Sequence, residues 1–271
     1  MARGPPELNN YPLVTSSVEG GVGSIRLTDP EHRNALSAEL SDALAGAVDT
    51  VLADDAGAIV LTADPPVFCA GGSLDGLLAR TVPLQDTYRG FLALANAPVP
   101  TIAAVGGPAI GAGVNLPLAC DIIVTSEGAR FDPRFLDVGI HPGGGHLWRL
   151  QRRIGSQGAA ALVLCGDVLN GRDAVTAGLA WRCVDEADLE AFAKTLASRA
   201  AGRSRPLVAR AKATLRASEA MLHVDDAATL ELEAQAWSMD QPGFDDRIRA
   251  IQESIRARNR DDEGNSSRRK A

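Results

Sequence analysis

Three short stretches of this chain, AIVLT at 58–62, TIAAV at 101–105 and IIVT at 122–125, are almost wholly apolar. A strand with one wet face alternates polar and apolar residues. A run without that alternation belongs to a sheet covered on both faces, which in practice means parallel strands under helices. The intervening sequence agrees. Residues 13–18 and 22–27 alternate as two strands around the turn Glu19-Gly20-Gly21. Ser37 then opens a helix with Glu39 in its first turn and Leu40, Leu44, Ala47, Val48, Val51 and Leu52 at helical spacing. Strand, glycine turn, helix and strand recur, which predicts an α/β fold with parallel pairing.

From 156 onward the pattern is helical. Ser156 caps one helix, and Asp185 opens another running to about residue 201. Stretches 206–218, 224–240 and 244–258 read as three further helices with too little apolar content to fold alone. The expected organisation is an N-terminal extension at 1–12, a core at 13–202, a helical C-terminal region at 203–258 and a structureless tail at 259–271.

Charge narrows the class of partner. The net charge is −7, so the chain lacks the general attraction to phosphate backbones that nucleic-acid binding needs. Cys69, Cys120, Cys165 and Cys183 have neither metal nor CxxC spacing and read as buried, reduced thiols. No metal is expected. The N-terminal residues do not form a signal peptide, and no apolar stretch reaches the ~18 residues of a membrane span. The expectation is a soluble, cytoplasmic protein.

Two turns carry chemistry. Phe68-Cys69-Ala70-Gly71-Gly72-Ser73-Leu74 follows the strand at 58–62, and its small residues let a ligand approach the backbone. Ile110 to Asp121 (IGAGVNLPLACD) is a glycine turn entering a helix near Ala112, whose first N–H groups have no helical partner. Two such turns can aim two N–H groups at one developing oxyanion. A plain surface turn and a tight helix–sheet contact are the alternatives for these segments. Pro117 within the second helix should kink it. Two other motifs fall short. Gly111-Ala112-Gly113 lacks the third glycine of a dinucleotide fingerprint, since Leu116 stands there. Gly71-Gly72-Ser73-Leu74-Asp75 ends in Asp75 where a nucleophile elbow needs glycine.

With these residues in view, the chain resembles the crotonase superfamily, the enoyl-CoA hydratases and isomerases, over most of residues 14 to 200. Asp29-Pro30-Glu31-His32-Arg33-Asn34-Ala35-Leu36 is similar to the family's first coenzyme A loop. The segments at 68–74 and 104–121 are similar to its two oxyanion turns, Gly139 with Pro142-Gly143-Gly144-Gly145 to the next glycine turn, and 164–180 to its helical return. The resemblance implies a spiral of β-β-α units with a helical C-terminal region, and a trimer or dimer of trimers joined by the helices after 205. It implies that Gly72 and Ala112 supply the oxyanion N–H groups. Arg33 would then meet coenzyme A phosphates or stay solvated, and Ala35, Ala70 and Leu74 would line the adenine site. Coenzyme A would arrive as part of the substrate, with no permanently bound cofactor.

The chain also departs from that pattern. Hydratases of the family use two glutamates to handle water. Their positions here hold Asn115 and Phe135, and Ser73 stands where an aspartate is frequent. Asn115 cannot take a proton at neutral pH, and acid–base help is worth ~10²–10⁴-fold. His141, in the turn 139–143, titrates near neutrality and is the candidate base. His146 is read as opening the next helix. Asp75 reads as a solvated carboxylate in a helix's first turn. Asp132 and Asp137 flank Phe135, and Asp137 shares its face if that stretch is extended. Phe135 walls an acyl pocket, while Trp148 and Trp181 pack rather than touch substrate. Three functions stay open: an enzyme of fatty-acid metabolism that stabilises a thioester enolate (hydratase or isomerase by default), a non-catalytic acyl-CoA binding or carrier protein, and a structural subunit of an active relative.

Overall fold

The apolar runs lie in the middle of a sheet with helices on both sides. The computed structural model describes residues 12–268. Its first strands, β1 (Val14–Glu19) and β2 (Val22–Leu27), form an antiparallel hairpin around the glycine turn. Helix α1 (Ala38–Ala53) is capped by the Ser37 hydroxyl, which accepts from the Leu40 N–H. Strand β3 (Ala58–Ala63), the short α2 (Leu74–Ala79), α3 (Arg89–Asn96), β4 (Thr101–Val105), β5 (Pro108–Ile110), α4 (Asn115–Ala119), β6 (Ile122–Ser126) and β7 (Arg130–Asp132) follow. Then come α5 (His146–Leu164), β8 (Leu169–Asn170), α6 (Gly171–Thr176), β9 (Arg182–Val184), α7 (Leu189–Ala201), α8 (Arg205–Ser218), α9 (Val224–Met239) and α10 (Phe244–Arg268).

The main sheet has the order β1-β2-β3-β4-β6-β9, parallel from β2 onward. Alternate residues of each strand enter different cores. Ile25, Leu27, Ile59, Leu61, Ala103, Val105 and Ile123 join the larger core with α1 and α3. Val22, Ala58, Val60, Ile102, Ala104 and Val124 pack under Leu189, Ala193 and Ala197 of α7. Helix α7 is therefore why those runs need no polar face. A fully buried aliphatic side chain contributes about 1.5–3 kcal/mol, so both layers weigh in stability. A second sheet of three short strands, β5-β7-β8, was not evident in the sequence. Its strands have two or three residues, too few to show a period.

The chain divides into two units, with the break after Val208 inside α8. In the second unit α9 buries none of its residues, and Leu215, Leu222, Val224, Leu232 and Ile251 stand exposed. Several expectations are corrected here. Helix α10 runs to Arg268, through most of the stretch expected to lack structure, because no proline follows Pro242 to stop it. Residues 1–11 and 269–271, the bulk of the N-terminal extension and the end of the tail, lie outside the described residues. Cys69 and Cys120 are buried and free as expected, but of the other two free cysteines Cys165 is exposed and Cys183 only half-buried. Trp148 and Trp181 are exposed too, each beneath an arginine, with Arg152 4.0 Å and Arg182 4.4 Å from the ring centres. The cation–arene contact takes the place of the packing expected for them. Among the described residues no helix is long and apolar enough to cross a membrane.

Candidate active site

The two turns are stitched to each other by backbone. The Phe68 and Cys69 N–H groups donate to Pro108 O at 2.9 and 3.1 Å, and Ile110 N–H donates to Cys69 O at 2.9 Å. Small residues let the strands close. A Cβ on Gly113 would lie 2.4 Å from Cys69 O, a backbone atom that cannot step aside. Gly71 has φ +99°, and a Cβ on it would fall 2.7 Å from Ile110 O and 3.5 Å from Ala112 N. The carbonyl carbon of Gly71 is bonded to Gly72 N, so the Gly71–Gly72 peptide runs alongside the backbone of Ile110 and Ala112. Neither N–H donates a hydrogen bond among the described residues. After Ala112 the chain is not an α-helix at once. Gly111–Val114 is a 3-10 turn, and α4 ends after five residues. Pro117, expected to kink the helix, sits in this short piece; its missing N–H fits the abbreviated ladder.

The loop resembling a coenzyme A loop is joined to the first turn. Ala70 N–H donates to Arg33 O at 3.0 Å, Leu36 N–H to Gly71 O at 2.7 Å and Ser73 N–H to Leu36 O at 3.1 Å. Arg33, Ala35, Ala70 and Gly72 are thereby neighbours. Arg33 is exposed, and Leu74 opens α2 with its side chain 65% exposed. Ser73 caps that helix by accepting from Gly76 N–H. Asp75 is exposed in the first turn, as expected. The residue that holds the loop is Asn34, read only as part of the motif. It is fully buried at φ +51°, its Oδ1 accepts from Asp29 N–H, and its Nδ2 donates to Asp64 O and Val67 O.

At the two positions that the resemblance matches to the family's glutamates, Asn115 and Phe135 are both buried. Asn115 Nδ2 donates to Gly143 O at 3.2 Å, and its Oδ1 lies 2.9 Å from His146 Nδ1. The Phe135 ring meets the His146 ring edge-on at 4.9 Å between centres. His146 therefore lies between both positions. Gly144 and Gly145, at φ +69° and +78°, turn the chain so that α5 begins with His146 aimed inward. A run of three glycines ahead of a histidine was the available signal. Burial, with Arg149 adding its charge, lowers the His146 pKa to about 4. Its Nε2 is buried and has no hydrogen-bond partner among the described residues.

The remaining candidates lie elsewhere. His141 is exposed, its Nδ1 2.8 Å from the neighbouring Pro142 O. Asp137 is exposed in a 3-10 turn, Leu136–Val138. Phe135 has helical φ and ψ, so the extended stretch that would put Asp137 on its face does not form. Asp132 is buried and bound by Arg134 and Arg130. Burial would raise its pKa, but the two arginine hydrogen bonds outweigh that and hold the carboxyl below its ordinary range.

The low His146 pKa has a thermodynamic consequence. The unfolded chain binds a proton near pH 6.5 and the native one only near 4, so protonation favours unfolding between them. The contribution is intact above pH 6.5 and lost as pH falls through about 4, amounting to about 3 kcal/mol. Urea denaturation at stepped pH should show that loss in the native sequence, and His146→Gln should remove this component of the slope.

A family model described as enoyl-CoA hydratase/isomerase matches residues 17–246. The chain belongs to the enoyl-CoA hydratase/isomerase family. It is 40% identical over 253 residues to "Probable enoyl-CoA hydratase EchA14" of Mycobacterium tuberculosis, a match covering 89% of this chain and 98% of that one. Among solved structures it is similar to an enoyl-CoA hydratase of Mycobacterium smegmatis, with 29% identity and a TM-score of 0.82 over 90% of this chain and 97% of that one. A Thermobifida fusca protein in complex with CoA is similar at 27% identity and a TM-score of 0.77, over 84% and 93% of the two chains. Members of this family with solved structures thus share the α/β architecture and the helical C-terminal region seen here.

Proposed function

We propose that this protein binds acyl-CoA thioesters and stabilises the thioester enolate with the backbone N–H groups of Gly72 and Ala112, as an enoyl-CoA hydratase or isomerase of fatty-acid metabolism. The observation that supports the reading is the close approach of Gly71 to the Ile110–Ala112 backbone, with no hydrogen bond from Gly72 N–H or Ala112 N–H among the described residues. Hydrogen bonds to a developing charge in a water-poor site are stronger than in solution, and one such donor is worth ~2.7–4 kcal/mol. Family membership and the CoA-bound relative support the thioester as the ligand. On this reading Arg33 meets the coenzyme A phosphates, Ala35, Ala70 and Leu74 line the adenine site, and coenzyme A comes and goes with the substrate. The exposed apolar side chains of α9 and α10 support a homo-oligomer; a trimer or dimer of trimers, and a cytoplasmic location, complete the proposal.

One observation favours a second reading. Asn115 is a neutral amide with both ends engaged, as suits a carrier that holds acyl-CoA without converting it. Two measurements on one sample decide. Butyryl-CoA, which has no double bond to react, is titrated by calorimetry, and crotonyl-CoA is followed by loss of its conjugated absorbance. Binding with hydration is the expected result. Binding with neither hydration nor a shift of the double bond leaves the carrier. Failure to bind either thioester overturns both readings. Sedimentation of the same sample tests the oligomer, and a monomer overturns that part.

A further inference from the structure

Among the described residues, His146 is the buried polar side chain left incompletely paired. Gly143 O can only accept, so the Asn115 end facing it is the NH₂, and the end facing His146 Nδ1 is the carbonyl oxygen. That oxygen also only accepts, so Nδ1 carries the proton and Nε2 carries the lone pair. The lone pair is buried and finds no partner among the described residues. Leaving such an acceptor unsatisfied is costly, and an exception of this kind in a native structure asks for a reason. Its location gives one. Asn115 lies one helical turn beyond Ala112, and side chains on a helix lean back toward its N-terminus. The Asn115–His146 pair is therefore tied to the same short segment, Gly111–Val114 running into α4, that carries Ala112 N–H.

We propose that His146 Nε2, fixed in this tautomer by Asn115, carries the proton in the reaction of this site. The proposal rests on the thioester reading above and deepens it. As water adds to the β-carbon, one O–H bond breaks and its proton goes to Nε2. The π pair of the double bond moves toward the thioester, whose oxygen becomes the enolate held by Gly72 and Ala112. Nε2–H then returns the proton to the α-carbon. The sum is one water added across the double bond, with no oxidant or reductant. The imidazolium forms only while the enolate is present, and that negative charge favours it. Before reaction the ring is neutral, so its lone pair is available. His146 is the catalytic residue on this account, and Asn115 is a positioning residue acting through it.

Three samples test this: the native protein, His146→Gln and Asn115→Ala. His146→Gln should lower kcat for crotonyl-CoA hydration about 10²–10⁴-fold while butyryl-CoA affinity is retained. Asn115→Ala should lower kcat and release the tautomer. Nitrogen-15 NMR of the native protein reads that directly, the 4 histidines being told apart by single replacement of the other three. A neutral ring protonated on Nδ1 is expected. A proton on Nε2 overturns the proposal, even if His146→Gln fails to fold. So does hydration at the native rate in His146→Gln, or loss of activity in His141→Ala alone. Native protein that binds butyryl-CoA but never hydrates crotonyl-CoA overturns the proton role and leaves the thioester reading standing. Protein that does neither removes both.

Discussion

Gly71→Ala should lower kcat/KM for crotonyl-CoA hydration by about 10²–10³-fold, the loss expected when one oxyanion donor is misplaced. The added Cβ would arrive 2.7 Å from Ile110 O and 3.5 Å from Ala112 N. Neither atom can yield cheaply. Ile110 is the last residue of β5, paired with Asp132 of β7, and its N–H is tied to Cys69 O. Alanine also resists φ +99°, a conformation that glycine tolerates. The first turn must therefore retreat, carrying Gly72 N–H away from Ala112 N–H. Butyryl-CoA affinity should fall with turnover, because both need the same pair of donors. Circular dichroism and a denaturation curve separate this from global unfolding. A folded Gly71→Ala protein with native turnover would remove the case for Gly72 and Ala112 as the thioester's partners.

Asn34→Ala should lower the unfolding free energy by about 3–5 kcal/mol, read as a reduced urea midpoint with an unchanged slope. The substitution deletes three hydrogen bonds and strands their partners, the Asp29 N–H and the carbonyl oxygens of Asp64 and Val67. It also asks a β-carbon residue other than asparagine to hold φ +51° in a fully buried position. Asparagine fits because one small side chain presents an acceptor and two donors at once. Arg33→Ala, one residue earlier and exposed, should change stability little and instead weaken coenzyme A thioester binding. If Asn34→Ala unfolds at the native midpoint, the loop does not depend on that side chain. The contrast between the neighbours separates the part of the motif that builds the loop from the part offered to a ligand.

Much of this was legible without coordinates, for local reasons. Unbroken apolar runs required a sheet covered on both faces, and α7 covers the second face. The Ser37 cap and the hairpin at Glu19-Gly20-Gly21 depend on residues a few positions apart. So do the two turns, whose glycines announce a backbone that must come close to something. The α10 boundary was missed because charged residues alone neither forbid nor demand a helix. Asp137 was misplaced because a three-residue stretch carries too little periodicity to tell a strand from a 3-10 turn.

The site divides along the same line. Sequence by itself determined that two glycine turns exist, that Asn115 and Phe135 stand where the resemblance expects glutamates, and that three glycines precede His146. Tertiary structure alone decided that His146 reaches Asn115 across 31 positions, that the Phe135 ring closes over it, and that His141, the nearer histidine by family position, faces outward. The physical reason is range. Caps, turns and strand character come from interactions between neighbours in the chain. The state of an imidazole depends on which carbonyl oxygen, amide and ring the fold brings against it, and distant segments supply those.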